Sequence, residues 1–368
     1  MFGNKKIAFF SSSFSNGGAE RVMVVMASGL AARGYKIDFL VKINHGVYKE
    51  ELHHNINLID LKQPSSIKSI PQLIKYLRKT KPFLLYSTLG NLNNVSIICS
   101  TISSPHTKVV VSEANIIKNF EYRSISEKLI FWLSKLTYPF AFAHVGVSND
   151  VSNDLRSVYG HKNIVTLYNP SFKENILHRA KENINHPFFE TKLPIVISAG
   201  RIASQKDFST LLKAFHLLQQ YIDSRLLILG NIYEDDGEFS KLQSLVEKLE
   251  LKQKVDFLGF VDNPFTYFFK SDVFVLSSKF EGFPNVLIQA LACGLQVLST
   301  DCPGGASEIL SKGNFGYLTE VGDHVGMSRK IKKLIEKRPF KKKQMLKRAR
   351  SFSQEKAIDV FVDTFLQI

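Results

Sequence analysis

Cysteine is almost missing from this chain. Cys99, Cys293 and Cys302 are the three among 368 residues, with no CxxC pair and no metal-ligand spacing. That excludes a disulfide framework and a structural zinc site, and the three read as reduced thiols of a cytosolic protein. Long apolar runs are missing too. None reaches the roughly 18 residues that a bilayer span needs, so no integral membrane segment is expected. The charged start runs straight into KIAFFSSSF, from which no N-terminal signal segment is expected. GxGxxG is absent, which excludes the nicotinamide and flavin fingerprint; Walker GxxxxGKS/T is absent, which removes support for ATP-driven chemistry. There is no GxSxG elbow for a hydrolase nucleophile and no HxH or HExxH among the ten histidines. No DxD pair stands in a plausible loop to hold a divalent ion on a diphosphate. Asp359 and Asp363 are too far apart for it, and Glu234, Asp235 and Asp236 read as a polar loop and helix cap. Negative charge is the scarce sign, with 33 Asp and Glu against 48 Lys and Arg.

The resulting net charge of +15 permits nucleic acid, anionic lipid or an anionic small substrate as partner. Its distribution says more. Between residues 329 and 350 Glu336 is the one acid in a basic run, and residues 66–81, SIKSIPQLIKYLRKTK, contain none. Either run is a solvated helix face or a surface drawn to an anionic membrane. The aromatic stretch at 120–140, FEYRSISEKLIFWLSKLTYPF, suits a helix at a membrane interface, but packing inside a domain is the expected reading. His216, within KAFHLLQQ, reads as a helix-packing histidine.

The rest is ordinary for a folded protein, at 44% hydrophobic and 22% charged, and the length predicts two domains. Short apolar strands alternate with helical patterns in both halves. KIAFFSS, KIDFLV, INLIDL, FLLYS, KVVVSE, HVGVS and IVTLYN come first; PIVISAG, RLLILG, VDFLGF, VFVLSS, QVLST and GYLTE follow. Such alternation predicts parallel sheets with helices on both faces. The expected division is 1–170, a polar linker at 171–192, and 193–352, with an amphipathic helix at 353–368 packing back on the first half. Ligands of open parallel sheets bind beyond the C-terminal strand ends, so two such rims turned together predict a cleft between domains.

Residues 277–294, SSKFEGFPNVLIQALACG, carry the sharpest signal. A buried strand is followed by Glu281, then by Pro284 in a first helical turn, with Gly294 as its C-terminal cap. Backbone N–H groups near Asn285, Val286 and Leu287 would point past the strand end, where a phosphate is attracted. In GRIASQK, Arg201 and Lys206 could neutralise a departing diphosphate. Gly17 and Gly18 open the first helix and allow a ligand close to the backbone.

Taken together, GRIASQKDFSTLLKAF, VDFLGFVDN and EGFPNVLIQALACGLQVLSTDCPGGASEIL resemble the family-four retaining glycosyltransferases of the GT-B fold. NGGAERVMVVMASGL resembles their bacterial branch, which builds lipid-linked glycans, O antigens and capsules. The resemblance implies two Rossmann-like doubly wound α/β domains facing across a cleft. It implies a nucleotide-sugar donor (a UDP-sugar rather than a GDP-sugar), no metal or other cofactor, and retention at the anomeric carbon. It implies that Glu281 holds donor sugar hydroxyls, that Arg201 and Lys206 bind the diphosphate, and that Gly282, Phe283, Asn285, Val286 and Leu287 cradle sugar and phosphate. Gly17 and Gly18 match the first-domain turn at the diphosphate, and Phe260 lies where backbone groups meet the base. Two departures stand out. The family pattern is Glu, seven residues, Glu, yet position 289 is Gln, a weaker neutral partner for the ribose hydroxyls. The loop SEAN at 112–115 has Ala114 where many relatives carry His or Arg, which leaves Asn115 to contact donor or acceptor.

The expected activity is transfer of a hexose or N-acetylhexosamine to a polyprenyl-diphosphate-linked glycan. It would take place peripherally on the inner face of the cytoplasmic membrane. Gln289 and Ala114 motivate a rival: a non-catalytic nucleotide-sugar-binding subunit of a partner transferase. Nucleic-acid binding rests on charge alone, with no recognised module, and is set aside.

Overall fold

The computed structural model describes residues 5–15, 17–118, 125–232 and 237–367. The acidic loop at 234–236 and the first part of the aromatic stretch, 120–124, lie outside them. The chain divides into two compact units, Met1–Pro170 with Gln354–Ile368, and Ser171–Ser353.

In unit 1 the elements run β1 (Lys6–Ser11), α1 (Gly18–Ala32), β2 (Lys36–Val41), β3 (Asn57–Asp60), α2 (Ile70–Thr80) and β4 (Leu84–Thr88). They continue as α3 (Gly90–Ser103), β5 (Lys108–Glu113), α4 (Ile125–Thr137), β6 (Ala143–Gly146), α5 (Asn149–Tyr159) and β7 (Ile164–Thr166). Unit 2 holds α6 (Ile176–Arg179), β8 (Ile195–Ala199), α7 (Phe208–Leu218), β9 (Arg225–Leu229), α8 (Glu238–Lys248), β10 (Val255–Gly259) and α9 (Pro264–Lys270). After these come β11 (Val273–Leu276), α10 (Asn285–Cys293), β12 (Gln296–Thr300), α11 (Ala306–Ile309), β13 (Tyr317–Thr319), α12 (His324–Lys337) and α13 (Lys342–Arg350). The last helix, α14 (Gln354–Phe365), belongs to unit 1.

Both sheets are wholly parallel. Their orders are β3-β2-β1-β4-β5-β6-β7 and β10-β9-β8-β11-β12-β13. The central strands are buried from end to end, as in IVISA of β8 and VFVL of β11, because helices cover both faces. The two parallel sheets with helices on both faces are those the alternation predicted, and their Rossmann-like α/β winding is the one the resemblance implied.

Each order reverses direction once. In unit 1 the switch falls between β1 and β4, and in unit 2 between β8 and β11. At such a switch the neighbouring helices leave on opposite faces, which opens a crevice beyond the strand ends.

Unit 1 is closed by its last helix. Phe361 and Phe365 of α14 are fully buried with Phe9, Phe39 and Tyr86. Gly29 of α1 makes the approach possible, since a Cβ there would overlap the tip of Ile358. Gln354 donates to the Val25 carbonyl at 3.1 Å, and Arg33 pairs with Asp359 at 2.7 Å. Residues 171–192 fall within unit 2, where Arg179 pairs with Asp262 at 3.1 Å and the His186 ring lies 3.1 Å from Asp256. The cysteines are all buried free thiols, and burial pushes each up to about 12.

Candidate functional site

The two loops at the unit 2 switch point are the two that hold Arg201, Lys206 and Glu281. After β8 the chain passes Gly200 and Arg201 into a single 3-10 turn, Ser204–Lys206, and Asp207 (φ +45°) re-aims it into α7. Lys206 folds its stem back over Gly200, where an added Cβ would come within 3.1 Å of its Cε. Its ammonium reaches Glu281, with Nζ 2.5 Å from Oε1. Ser278 donates to the same oxygen at 2.6 Å. The pair is largely removed from water, at 16% and 7% side-chain exposure. Charges so placed persist only when paired and hydrogen-bonded, which fixes both side chains in one geometry.

The backbone reinforces that geometry. Lys279 N–H donates to the Gln205 carbonyl at 2.8 Å, the Gln205 amide donates to the Phe280 carbonyl at 2.8 Å, and Ser277 Oγ donates to the Lys206 carbonyl at 2.7 Å. From the other side the loop after β12 closes in. Glu281 N–H donates to Pro303 and Gly305 N–H to Gly282, both at 2.9 Å. Gly304 (φ +116°) must be glycine, since a Cβ would also overlap the Glu281 carbonyl. Glu281 Oε2 has no hydrogen bond among the described residues, so one carboxylate oxygen is anchored and the other is available.

Helix α10 begins directly after this loop. Pro284 is its N-cap rather than part of the first turn, because φ −74° with ψ 89° is an entry conformation; Gly294 caps the far end at φ +80°. Asn285 accepts from Ser171 Oγ at 2.7 Å. Leu287 is buried, and its N–H already donates to the Pro284 carbonyl at 3.0 Å, whereas the Val286 N–H in the first turn has no hydrogen bond among the described residues. Phe283 is a packing residue, buried edge-on to Phe352 at 5.4 Å. One turn along, Gln289 is half-buried with no side-chain hydrogen bond among the described residues. Arg201 is exposed on the same rim, without an ion pair among the described residues. Phe260 follows β10 and is 53% exposed. The arrangement offers an anion two cations and a helix start, and offers hydroxyl groups a fixed carboxylate oxygen.

In unit 1, Gly17 is the N-cap of α1 and Gly18 its first residue. Glu20 fills the space beside them: a Cβ on Gly17 would overlap its carboxylate, which accepts from Ser12 Oγ at 3.1 Å. Asn115 is exposed, two residues past β5. Glu113 ends β5 in the SEAN segment that the sequence singled out, where no role followed for it from the sequence. Its Oε1 accepts from the hydroxyl of Tyr138, which is wholly buried, and from the Asn93 amide at 3.1 Å; Asn93 in turn accepts from Ser87 at 2.9 Å. Burial raises the Glu113 carboxyl above the ordinary carboxylate range, against the hydrogen bonds from Tyr138 and Asn93, with the nearby Asp154 adding to the rise. Ser278, Gln205 and the Gly304–Gly305 turn lie in segments that the sequence singled out, but the sequence assigned them no individual role.

Three expectations about single segments have definite outcomes. His216 does pack, its ring Nδ1 3.1 Å from the Leu249 carbonyl. Asp359 and Asp363 do lie on the terminal helix. The packing expected for the aromatic stretch is found for Tyr138, buried at 0%, and in part for Phe131, whose ring lies 6.5 Å from that of Tyr159, but not for Trp132, which is 62% exposed. Ser134 and Thr137 are the buried residues of α4, with Ile130 and Phe131 half-buried on the same inner side, and Trp132 lies on the opposite side.

The family model described as "Glycosyl transferases group 1" matches residues 180–352, and "Glycosyltransferase Family 4" matches residues 16–170. The chain is 29% identical over 377 residues to the N-acetylgalactosamine-N,N'-diacetylbacillosaminyl-diphospho-undecaprenol 4-alpha-N-acetylgalactosaminyltransferase of Campylobacter jejuni, with 96% of this chain and 97% of that one covered. It is 24% identical to the amylovoran biosynthesis glycosyltransferase AmsD of Erwinia amylovora, with 92% of each covered. Among solved structures it is similar in fold to Anabaena HepE in complex with UDP and glucose, at TM-score 0.80 and 19% identity, covering 99% of this chain and 100% of that one.

Proposed function

We propose, from the premise that this chain belongs to the family-four glycosyltransferases of the GT-B fold, that it moves a hexose or N-acetylhexosamine from a nucleotide sugar to a polyprenyl-diphosphate-linked glycan. The acceptor reading is supported by the undecaprenol diphosphate in the name of the Campylobacter relative and by the polysaccharide in that of the Erwinia one. The donor is a UDP-sugar rather than a GDP-sugar, transfer retains configuration, and no metal takes part. The work is done at the inner face of the cytoplasmic membrane.

The observation that carries the reading is the buried Lys206–Glu281 pair at the unit 2 switch point, beside the start of α10. Glu281, held through Oε1, presents Oε2 to the donor sugar hydroxyls. Arg201, Lys206 and the start of α10 at Asn285 and Val286 take up the charge of the departing nucleoside diphosphate, with Gly282, Phe283 and Leu287 shaping the cradle. Charge that develops only in the transition state is where such preorganised groups accelerate most. Gln289 meets the ribose and the Phe260 backbone meets the base, while Gly17, Gly18 and Asn115 keep their donor roles on unit 1. The acceptor hydroxyl attacks from the face that the diphosphate leaves and passes its proton to the leaving phosphate, so no protein nucleophile is needed.

The test begins with thermal-shift screening of UDP- and GDP-sugars, followed by transfer to a polyprenyl-diphosphate-linked glycan with and without EDTA. Lys206→Ala and Glu281→Ala should each lower kcat/KM by about 100-fold or more, with folding checked by circular dichroism. Near-full activity in both variants would defeat the site. Donor binding with no turnover by the unaltered protein would favour the non-catalytic subunit instead.

A further inference from the structure

Helix α4 is amphipathic the wrong way round for a soluble domain. Its two buried residues are polar, Ser134 and Thr137. Thr137 Oγ1 donates to Asn94 of α3 at 2.7 Å, and the Asn94 amide donates back to the Ile130 carbonyl at 3.2 Å. Ile130 and Phe131 are half-buried on the inner side, and the other large apolar residues face out. Ile125 is 87% exposed, Leu129 69%, Trp132 62% and Leu136 70%, and Phe140 extends the row just past the helix end at 69%. At 100° per residue these positions fall within about one-third of the circumference, a continuous stripe rather than scattered exposure. Lys128 and Lys135 are exposed along one edge of the stripe, with the Lys135 ammonium 4.9 Å from the Trp132 ring centroid. The helix has 13 residues, too few to cross a bilayer, and no described helix is long and apolar enough to do so.

We propose that α4 lies in the plane of an anionic lipid bilayer, with its apolar stripe in the acyl boundary and Lys128 and Lys135 at the headgroups. Charge complementarity selects this occupant, since Glu127 is the one acid on α4 and the chain carries +15. The inference deepens the proposed function and rests on its reading of the acceptor as lipid-linked. Immediately after α4, Tyr138 donates to Glu113 at the C-terminal end of β5. Immersing α4 would therefore set the ligand-facing rim of unit 1 at headgroup depth, where a lipid diphosphate and its first sugar lie.

Trp132 is the chain's single tryptophan, so its fluorescence reports on this face alone. Vesicles of phosphatidylglycerol and phosphatidylethanolamine should shift its emission to shorter wavelength, and lipids brominated near the headgroup should quench it. The triple variant Ile125→Ser, Leu129→Ser, Leu136→Ser, with folding verified by circular dichroism, should bind these vesicles at least about 100-fold more weakly. It should also lose transfer to vesicle-embedded acceptor while keeping transfer to a short-chain, water-soluble acceptor analogue. Vesicle binding without a Trp132 shift, or unchanged in the triple variant, would assign docking to the basic runs and overturn the proposal. A Trp132 shift that instead follows protein concentration without lipid would identify a second copy as the occupant and overturn it too. If Trp132 enters the bilayer but neither acceptor is glycosylated, the acceptor reading fails while the docking face stands.

Discussion

Gln289 differs from a glutamate by one substituted atom, and its surroundings make that difference measurable. No described residue hydrogen-bonds its side chain, so Gln289→Glu breaks nothing internal. A charged acceptor binds hydroxyl donors about twice as strongly as a neutral one, a difference near 1 kcal/mol. The donor KM should fall about fivefold with kcat little changed. An unchanged KM would place the ribose elsewhere. Glu113 gives a residue-scale prediction of the opposite kind, in stability. Its carboxyl is raised chiefly by burial, so the folded state holds a proton that the unfolded chain releases earlier. That contribution is whole below the ordinary glutamate range and is lost as pH climbs through the raised native value. Glu113→Gln keeps an acceptor for Tyr138 and Asn93 but has no proton to lose. Its melting temperature should match the parent near about pH 4 and exceed it increasingly toward about pH 8. A difference that does not grow with pH would refute the assignment.

At the scale of elements, packing between helices can be read from what is left out. Gly29 carries no side chain where α14 crosses α1, and Ile358 and Gln354 occupy the space. Gly29→Val should cost about 1–3 kcal/mol in denaturant unfolding. Adding Ile358→Ala should cost less in that background than alone, because the two side chains compete for one volume. Simple additivity would mean that α14 is not seated there. Element identity was legible in the sequence because strands buried on both faces, such as VFVL of β11, are short unbroken apolar runs. The orientation of α4 was not legible. An apolar stripe repeats at the same period whether it faces core or solvent, and only Asn94, from a different helix, shows which side is inward. The site was legible in part. Glu281 and Lys206 were each visible as chemistry-bearing residues, but their contact joins positions 75 apart. It follows from β8 and β11 being neighbours, which no local pattern states. The environment of Glu113 was hidden for the same reason: Tyr138 and Asn93, which make it notable, lie 25 and 20 positions away.

Over the whole molecule, chain order and structural membership disagree at one place, and that place can be cut. Unit 2 is continuous, Ser171–Ser353, whereas unit 1 needs the final segment Gln354–Ile368. A chain ending at Ser353 keeps every proposed unit 2 residue from Arg201 to Gln289. It removes Phe361 and Phe365, buried at 0% and 1%, from the core that contains Phe9 and Tyr86. Losing one buried phenylalanine side chain costs about 3–5 kcal/mol, and a domain's whole margin is about 5–15 kcal/mol. Losing two, with the Arg33–Asp359 pair and the Gln354 bond, should exhaust that margin. Hydrogen exchange followed by mass spectrometry should then show β1 and β4 unprotected in the truncated protein. Peptides from β8 and β11 should exchange as in the full chain, and UDP should still slow exchange at 201–206 and 281–289. Protection of β1 and β4 without α14 would mean that the first sheet is stable alone. Loss of the UDP effect, with β8 and β11 still protected, would mean that the nucleotide depends on unit 1 far more than the Lys206–Glu281 geometry implies.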